Sequence, residues 1–165
     1  MILEKINGPE DLKKLNKKEL PLLAEEIRKA LLNRLTKYPK GGHVGPNFGV
    51  VEMTIALHYV FNSPKDKIVF DVSHQAYPHK ILTGRKDGFL YDEKFYTING
   101  YTDQDESEHD FFRVGHTSTS ISLATGMAKA RDLKGDKENI IALIGDGSLS
   151  GGLAFEGLNN AAEQG

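Results

Sequence analysis

The chain has 165 residues, 39% of them hydrophobic and 27% charged, with a formal net charge of -2, a balance that gives no electrostatic reason for a nucleic-acid partner. It contains no cysteine, which excludes disulfides, thiolate metal sites and cysteine nucleophiles together. The start, "MILEKINGPEDLKKL", lacks the apolar core of a secretory signal, and no apolar stretch reaches the roughly 18 residues of a membrane span, so a cytoplasmic protein without a membrane partner is expected.

"PEDLKKL" from Pro9 reads as a short helix with proline near its start. "LPLLAEEIRKALLNRLTKY" reads as a longer one. Leu23, Ile27, Ala30, Leu31 and Leu35 make one apolar stripe, interrupted by Arg34, while Glu25, Glu26, Arg28 and Lys29 lie on the other side and its flanks. Two prolines and four glycines in "PKGGHVGPNFG" predict a loop carrying His43 and Asn47. "VVEMTIALHYVF" is helical and apolar on nearly all sides, which predicts a buried helix with His58 in a structural place.

"DKIVFDV" is a short β-rich run suited to a parallel strand ending near Asp71. It runs into "SHQAYPHKILTG", where His79 suits either a structural or a functional place. From Asp87 to Arg113 there is little periodicity. "TDQDESEHD" is an acidic loop in which His109 should be solvated, and Glu108 and Val114 stand where a calcium loop needs Gly and Glu. "GHTSTSISLATGMAKARDL" becomes helical from about Thr119, with Ile121, Ala124, Met127 and Ala128 on one side, and "KGDKEN" turns the chain. "IIALI" reads as a second buried parallel strand, and "SLSGGLAFEGLNNAAEQ" as a helix with Leu153, Ala154, Leu158, Ala161 and Ala162 inward. These elements predict an α/β fold, a parallel sheet flanked by helices. Two strands make a thin sheet, so a piece of a larger protein is expected.

In such sheets ligands bind beyond the carboxyl ends of the strands, where "IIALIGDGSLSGG" places Asp146. The glycine pattern misses a dinucleotide turn by one residue, and no P-loop is present. Asp146 could cap the following helix or hydrogen-bond within its turn. Alternatively, a Mg²⁺ ion between Asp146 and a diphosphate turns repulsion into attraction, with Gly145 and Gly147 opening the backbone to the same phosphates. His43, His74 and His116 stand at loop–helix junctions, where imidazole can donate to phosphate or move protons near neutrality. No HExxH spacing favours zinc.

"GGHVGPNFGVVEMTIALHYVF", "DVSHQAYPHKILTGRKD", "ESEHDFFRVGHTSTSISLATGMAKAR" and "IGDGSLSGGLAFEGLNNA" closely resemble the 1-deoxy-D-xylulose-5-phosphate synthases, a family of transketolase-like, thiamin diphosphate-dependent enzymes. The resemblance runs from about Leu20 to Gly165. It implies a single thiamin diphosphate- and Mg²⁺-binding domain over 1–165, of pyrophosphate-domain type, from the N-terminal part of a multidomain synthase. Carried over by matching positions, Asp146 is a Mg²⁺ ligand. Gly115, His116, Thr117, Gly147 and Ser148 contact the cofactor diphosphate, His74 is a catalytic and cofactor-site residue, and His43 is an active-site acid/base. The implied reaction decarboxylates pyruvate and joins the two-carbon fragment to glyceraldehyde 3-phosphate, in a protein that is a homodimer when complete.

Thr117 replaces a more usual serine, Ser73 a glycine, and "VGPNF" an alanine- or serine-containing form. "GFLYDEKFYTINGYTD" departs from the family's glycine-rich, basic segment, which bears on acceptor binding. The family's second metal ligand, an asparagine roughly thirty residues beyond the aspartate, and the glutamate that activates the cofactor ring fall outside this sequence. The sequence alone should therefore show no turnover, and its exposed apolar surface should drive self-association. Two rival readings are another transketolase-like enzyme and a non-catalytic thiamin diphosphate-binding module.

Overall fold

Both β-rich runs form strands, and they pair in parallel as expected. The computed structural model describes residues 1–38 and 42–164. Contacts divide the chain into two compact units, Met1–Asn62 with His74–Gly100 and Ser63–Ser73 with Tyr101–Gly165.

The first unit is helical: α1 (Pro9–Leu12), α2 (Leu20–Lys37), α3 (Val44–Gly49), α4 (Val51–Val60), α5 (Tyr77–Lys80) and α6 (Asp87–Leu90). A capping box of Asn16 and Glu19 precedes α2. The buried face of α2 follows the predicted stripe at Leu23, Ile27, Ala30 and Leu31, adds Ala24 and Arg34, and leaves Leu35 half-buried. That arginine is not an interruption. It enters the core, where Nη1 donates to the Gly88 carbonyl at 2.7 Å and Nη2 to the Ile98 carbonyl at 3.0 Å. It thereby ties α2 to the aperiodic segment around α6. Leu23, Ile27, Leu31, Val51, Ile55, Tyr77, Ile81 and Phe89 belong to one apolar core.

Two expectations fail in this unit. The predicted loop at "VGPNFG" is the helix α3, while Pro39, Lys40 and Gly41 of that stretch lie outside the described residues. Tertiary hydrogen bonds to the buried Asn47 side chain outweigh the helix-breaking glycines. Helix α4 is not buried on all sides: Val51, Thr54, Ile55 and His58 are inside, whereas Met53 and Val60 are exposed. Apolar composition set no direction there, and packing against α2 chose one face. His58 is structural as expected, and so is His79: the two buried rings stack, with Nε2 of His58 2.8 Å from Nδ1 of His79.

The second unit holds β1 (Lys67–Phe70), α7 (Ser120–Lys134), β2 (Ile140–Leu143), α8 (Asp146–Leu149) and α9 (Gly152–Gln164). Register runs from Lys67 opposite Ile140 to Phe70 opposite Leu143. Helix α7 ends at Gly135, whose φ of 78° is the left-handed stop that glycine adopts without a Cβ penalty. Strand β1 is buried from Ile68 to Phe70, but β2 is buried only at Leu143, so the predicted second buried strand is half-covered. In α9 the expected inward residues Leu153, Leu158 and Ala162 are exposed and Ala161 is half-buried, whereas Ala154 is buried as expected, together with Gly157, which packs against α7. A Cβ at Gly157 would stand 2.9 Å from Ser122 Oγ and 3.0 Å from Ile121 Cγ2, so the two helices touch along a seam too narrow for leucine. The acidic loop is folded on itself: Thr102 Oγ1 donates to the Phe112 carbonyl, and the Asp103 amide to Asp110 Oδ2. His109 is half-buried, with Nδ1 2.8 Å from Ser63 Oγ, which corrects the solvated placement. Among the described residues no helix is long and apolar enough to cross a membrane.

Candidate functional site

Parallel pairing brings the carboxyl ends of β1 and β2 to one edge of the second unit, where Asp71 donates its amide to the Leu143 carbonyl at 2.8 Å. Beyond β2, Gly145 leads into α8, and Asp146 is its exposed first residue. Its Oδ1 accepts the Gly147 N–H at 2.9 Å. One carboxylate oxygen thus makes the hydrogen bond within the turn, and among the described residues Oδ2 makes none. Nothing stands within 4 Å of where a Cβ would lie at Gly145 or Gly147, so both backbones are open to a bulky anion. Among the described residues no group of three or more His, Cys, Asp or Glu could hold a metal ion. A single exposed carboxylate does not make an all-protein metal cage.

The third part of this edge is the turn before α7. Gly115, His116 and Thr117 are exposed, and Ser118 is buried with a left-handed φ of 70°. Ser118 Oγ donates to the Ser148 carbonyl at 2.6 Å, which joins the predicted contacts Gly115–Thr117 to Gly147 and Ser148. Gly151 packs against the same serine. An alanine Cβ there would overlap Ser118 Oγ and stand 3.0 Å from its Cβ. Gly151→Ala should therefore destabilise the unit by about 1–3 kcal/mol, read from thermal unfolding. Ser118→Ala added to it should restore part of the loss, and an unchanged midpoint in the single variant would contradict this packing.

His43 and His74 lie in the first unit, with ring centroids 5.0 Å apart at 68°. Asn47 fixes both backbones: its Nδ2 donates to the His43 carbonyl at 2.7 Å and the His74 carbonyl at 2.9 Å, while Oδ1 accepts the Tyr77 amide at 2.9 Å. His43 is exposed and His74 half-buried.

Asp71 and Ser118 escaped the sequence reading as site residues, and Asn47 was noted without a role. A signal for Asp71 was available: "KIVFD", like "IIALIGD", ends a β-rich run in aspartate at the ligand-binding edge.

A family model described as 1-deoxy-D-xylulose-5-phosphate synthase matches residues 3–165. Similar curated proteins of that name include one from Caldanaerobacter subterraneus subsp. tengcongensis, 57% identical over 96% of this chain and 25% of its own length. Others are from Carboxydothermus hydrogenoformans, 56% identical over 97% of this chain and 25% of its own, and Halalkalibacterium halodurans, 54% identical over 99% and 26%. The chain spans about a quarter of the length of these relatives.

Proposed function

The chain belongs to the 1-deoxy-D-xylulose-5-phosphate synthase family, and on that premise we propose that it supplies the diphosphate- and Mg²⁺-binding side of a thiamin diphosphate site. The complete protein would condense pyruvate with glyceraldehyde 3-phosphate and release carbon dioxide, as a cytoplasmic homodimer. The observation that carries this reading is the single sheet edge where an exposed Asp146, two open glycines and the Gly115–Ser118 turn are joined through Ser148.

In this reading Asp146 would hold Mg²⁺, a cation whose charge would offset the repulsion between this carboxylate and a diphosphate. The Gly147 and Ser148 backbone and the Gly115–Thr117 turn orient the diphosphate, with His116 as a proton-bearing donor. His74 contacts the cofactor, and His43 moves a proton at the substrate oxygen. Thiamin diphosphate itself supplies the carbanion stabilisation that pyruvate decarboxylation needs, while the protein binds and orients it.

Calorimetric titration of the chain with thiamin diphosphate, with and without Mg²⁺, tests the proposal. Weak binding that requires Mg²⁺, and is absent for thiamin lacking the diphosphate, is expected. Equal affinity for thiamin, binding that ignores Mg²⁺, or no binding under any of these conditions would overturn it.

A further inference from the structure

We infer that Asp71 is a positioning residue: its buried carboxylate holds the Gly115–Ser118 turn in the shape that meets the diphosphate. This rests on the diphosphate reading above and adds the residue that builds the site without touching its ligand.

The carboxylate is wholly buried, and its two oxygens accept the amides of Ser118 and Ser120, each at 2.9 Å. Ser120 opens α7, so the negative charge also lies where the helix dipole favours it. Left-handed backbone at a non-glycine residue is strained and persists only where its surroundings over-determine it. Ser118 is such a residue, and Asp71 holds the amides at and just beyond it. The other end of the turn is fastened from the same stretch. Ser73 Oγ donates to the Val114 carbonyl at 3.0 Å and accepts the Thr102 amide at 3.1 Å. Val72 and Ser73 are themselves left-handed, with φ of 59° and 68°. Asp71 and Ser73, just after β1, thus grip the turn at Ser118 and at Val114, and leave Gly115, His116 and Thr117 exposed between the grips. Because Ser118 Oγ also bonds the Ser148 carbonyl, the same carboxylate sets the distance from this turn to α8.

The protonation state of Asp71 gives a direct readout. Burial pushes its carboxyl up, but hydrogen bonding, first from the amides of Ser120 and Ser118, outweighs burial, and the net direction is below the ordinary 3.8. The folded value is depressed, so the stabilisation is complete above the ordinary carboxylate range and disappears as pH falls through the lower folded value.

Amide NMR of the isotopically labelled chain tests the inference. The Ser118 and Ser120 amide protons should titrate together with a midpoint below 3.8. Asp71→Asn, which can accept only one of the two amides, should remove that titration. It should shift Gly115–Ser118 and Ser148–Gly151 while leaving core residues such as Ile27 and Phe89 in place. It should also weaken Mg²⁺-dependent thiamin diphosphate binding about tenfold or more. A midpoint at or above 3.8, unmoved signals for Gly115–Ser118, or moved signals with unchanged affinity would each overturn the inference. If the wild-type chain bound no thiamin diphosphate, the functional reading would fail, and the NMR signals alone would decide the positioning role. If the variant did not fold, the wild-type titration would decide it.

Discussion

Asp146→Ala is expected to abolish the Mg²⁺-dependent part of thiamin diphosphate binding. A charge-assisted contact contributes about 1.5–3 kcal/mol, which corresponds to a loss of roughly ten- to a hundredfold in affinity. The alanine also removes the acceptor for the Gly147 amide, a capping-type loss of about 1 kcal/mol in stability. Asp146→Asn separates the two effects. Asparagine keeps an acceptor for that amide but carries no charge, so it should melt close to wild type and still lose the Mg²⁺ dependence. An Asp146→Asn protein that binds thiamin diphosphate as tightly as wild type, with the same response to Mg²⁺, would leave Asp146 only its hydrogen bond within the turn.

Arg34→Ala is expected to have the largest effect on stability. The guanidinium is 1% exposed. It donates to the carbonyls of Gly88, Phe95 and Ile98, and lies 4.7 Å from the ring centroid of Tyr38 and 5.1 Å from that of Phe89. Among the described residues it has no carboxylate partner, so backbone carbonyls and ring faces stabilise the charge. Truncation leaves those carbonyls buried without a donor, at about 1–3 kcal/mol each, and opens a cavity besides. Such effects are not additive, but a total above about 3 kcal/mol is a large share of the 5–15 kcal/mol that holds a typical domain together. The unfolding midpoint should fall by about 10 °C or more. Arg34→Lys should fall between the two, because an ammonium cannot reproduce the planar fork of donors. A shift smaller than about 2 °C for Arg34→Ala would show that the carbonyls find other partners.

Arg34 also marks where legibility in the sequence stops. The α2 stripe and the positions of the two parallel strands and of the helices after the glycine turns were readable, because period and β-rich composition report the type of element. The placement of Asp146, exposed in the turn beyond β2, was readable too. A charged residue within an apolar stripe looks like a defect until its partners are known, and these lie more than fifty positions away in an aperiodic segment. Helix α3 was hidden for a similar reason: its glycines and proline argue for a loop, and the Asn47 bonds that override them join segments remote in sequence. The exposed leucines of α9 were misread because an apolar period gives the face that could be covered, not the partner that covers it. Asp71 was passed over as a strand end, since a buried acceptor of two amides leaves no mark beyond its own identity.

The grip on both ends of Gly115–Thr117 also bears on the rate and entropy of ligand capture. Fastening Val114 and Ser118 restricts the conformational freedom of the three residues between them when the chain folds. On the proposed reading, a diphosphate arriving at a turn held at both ends has less loop to order, so that share of the association penalty is reduced. Encounter should then proceed without a slow closing step at this turn, and differences in affinity among variants that leave the grip intact should appear in the dissociation rate.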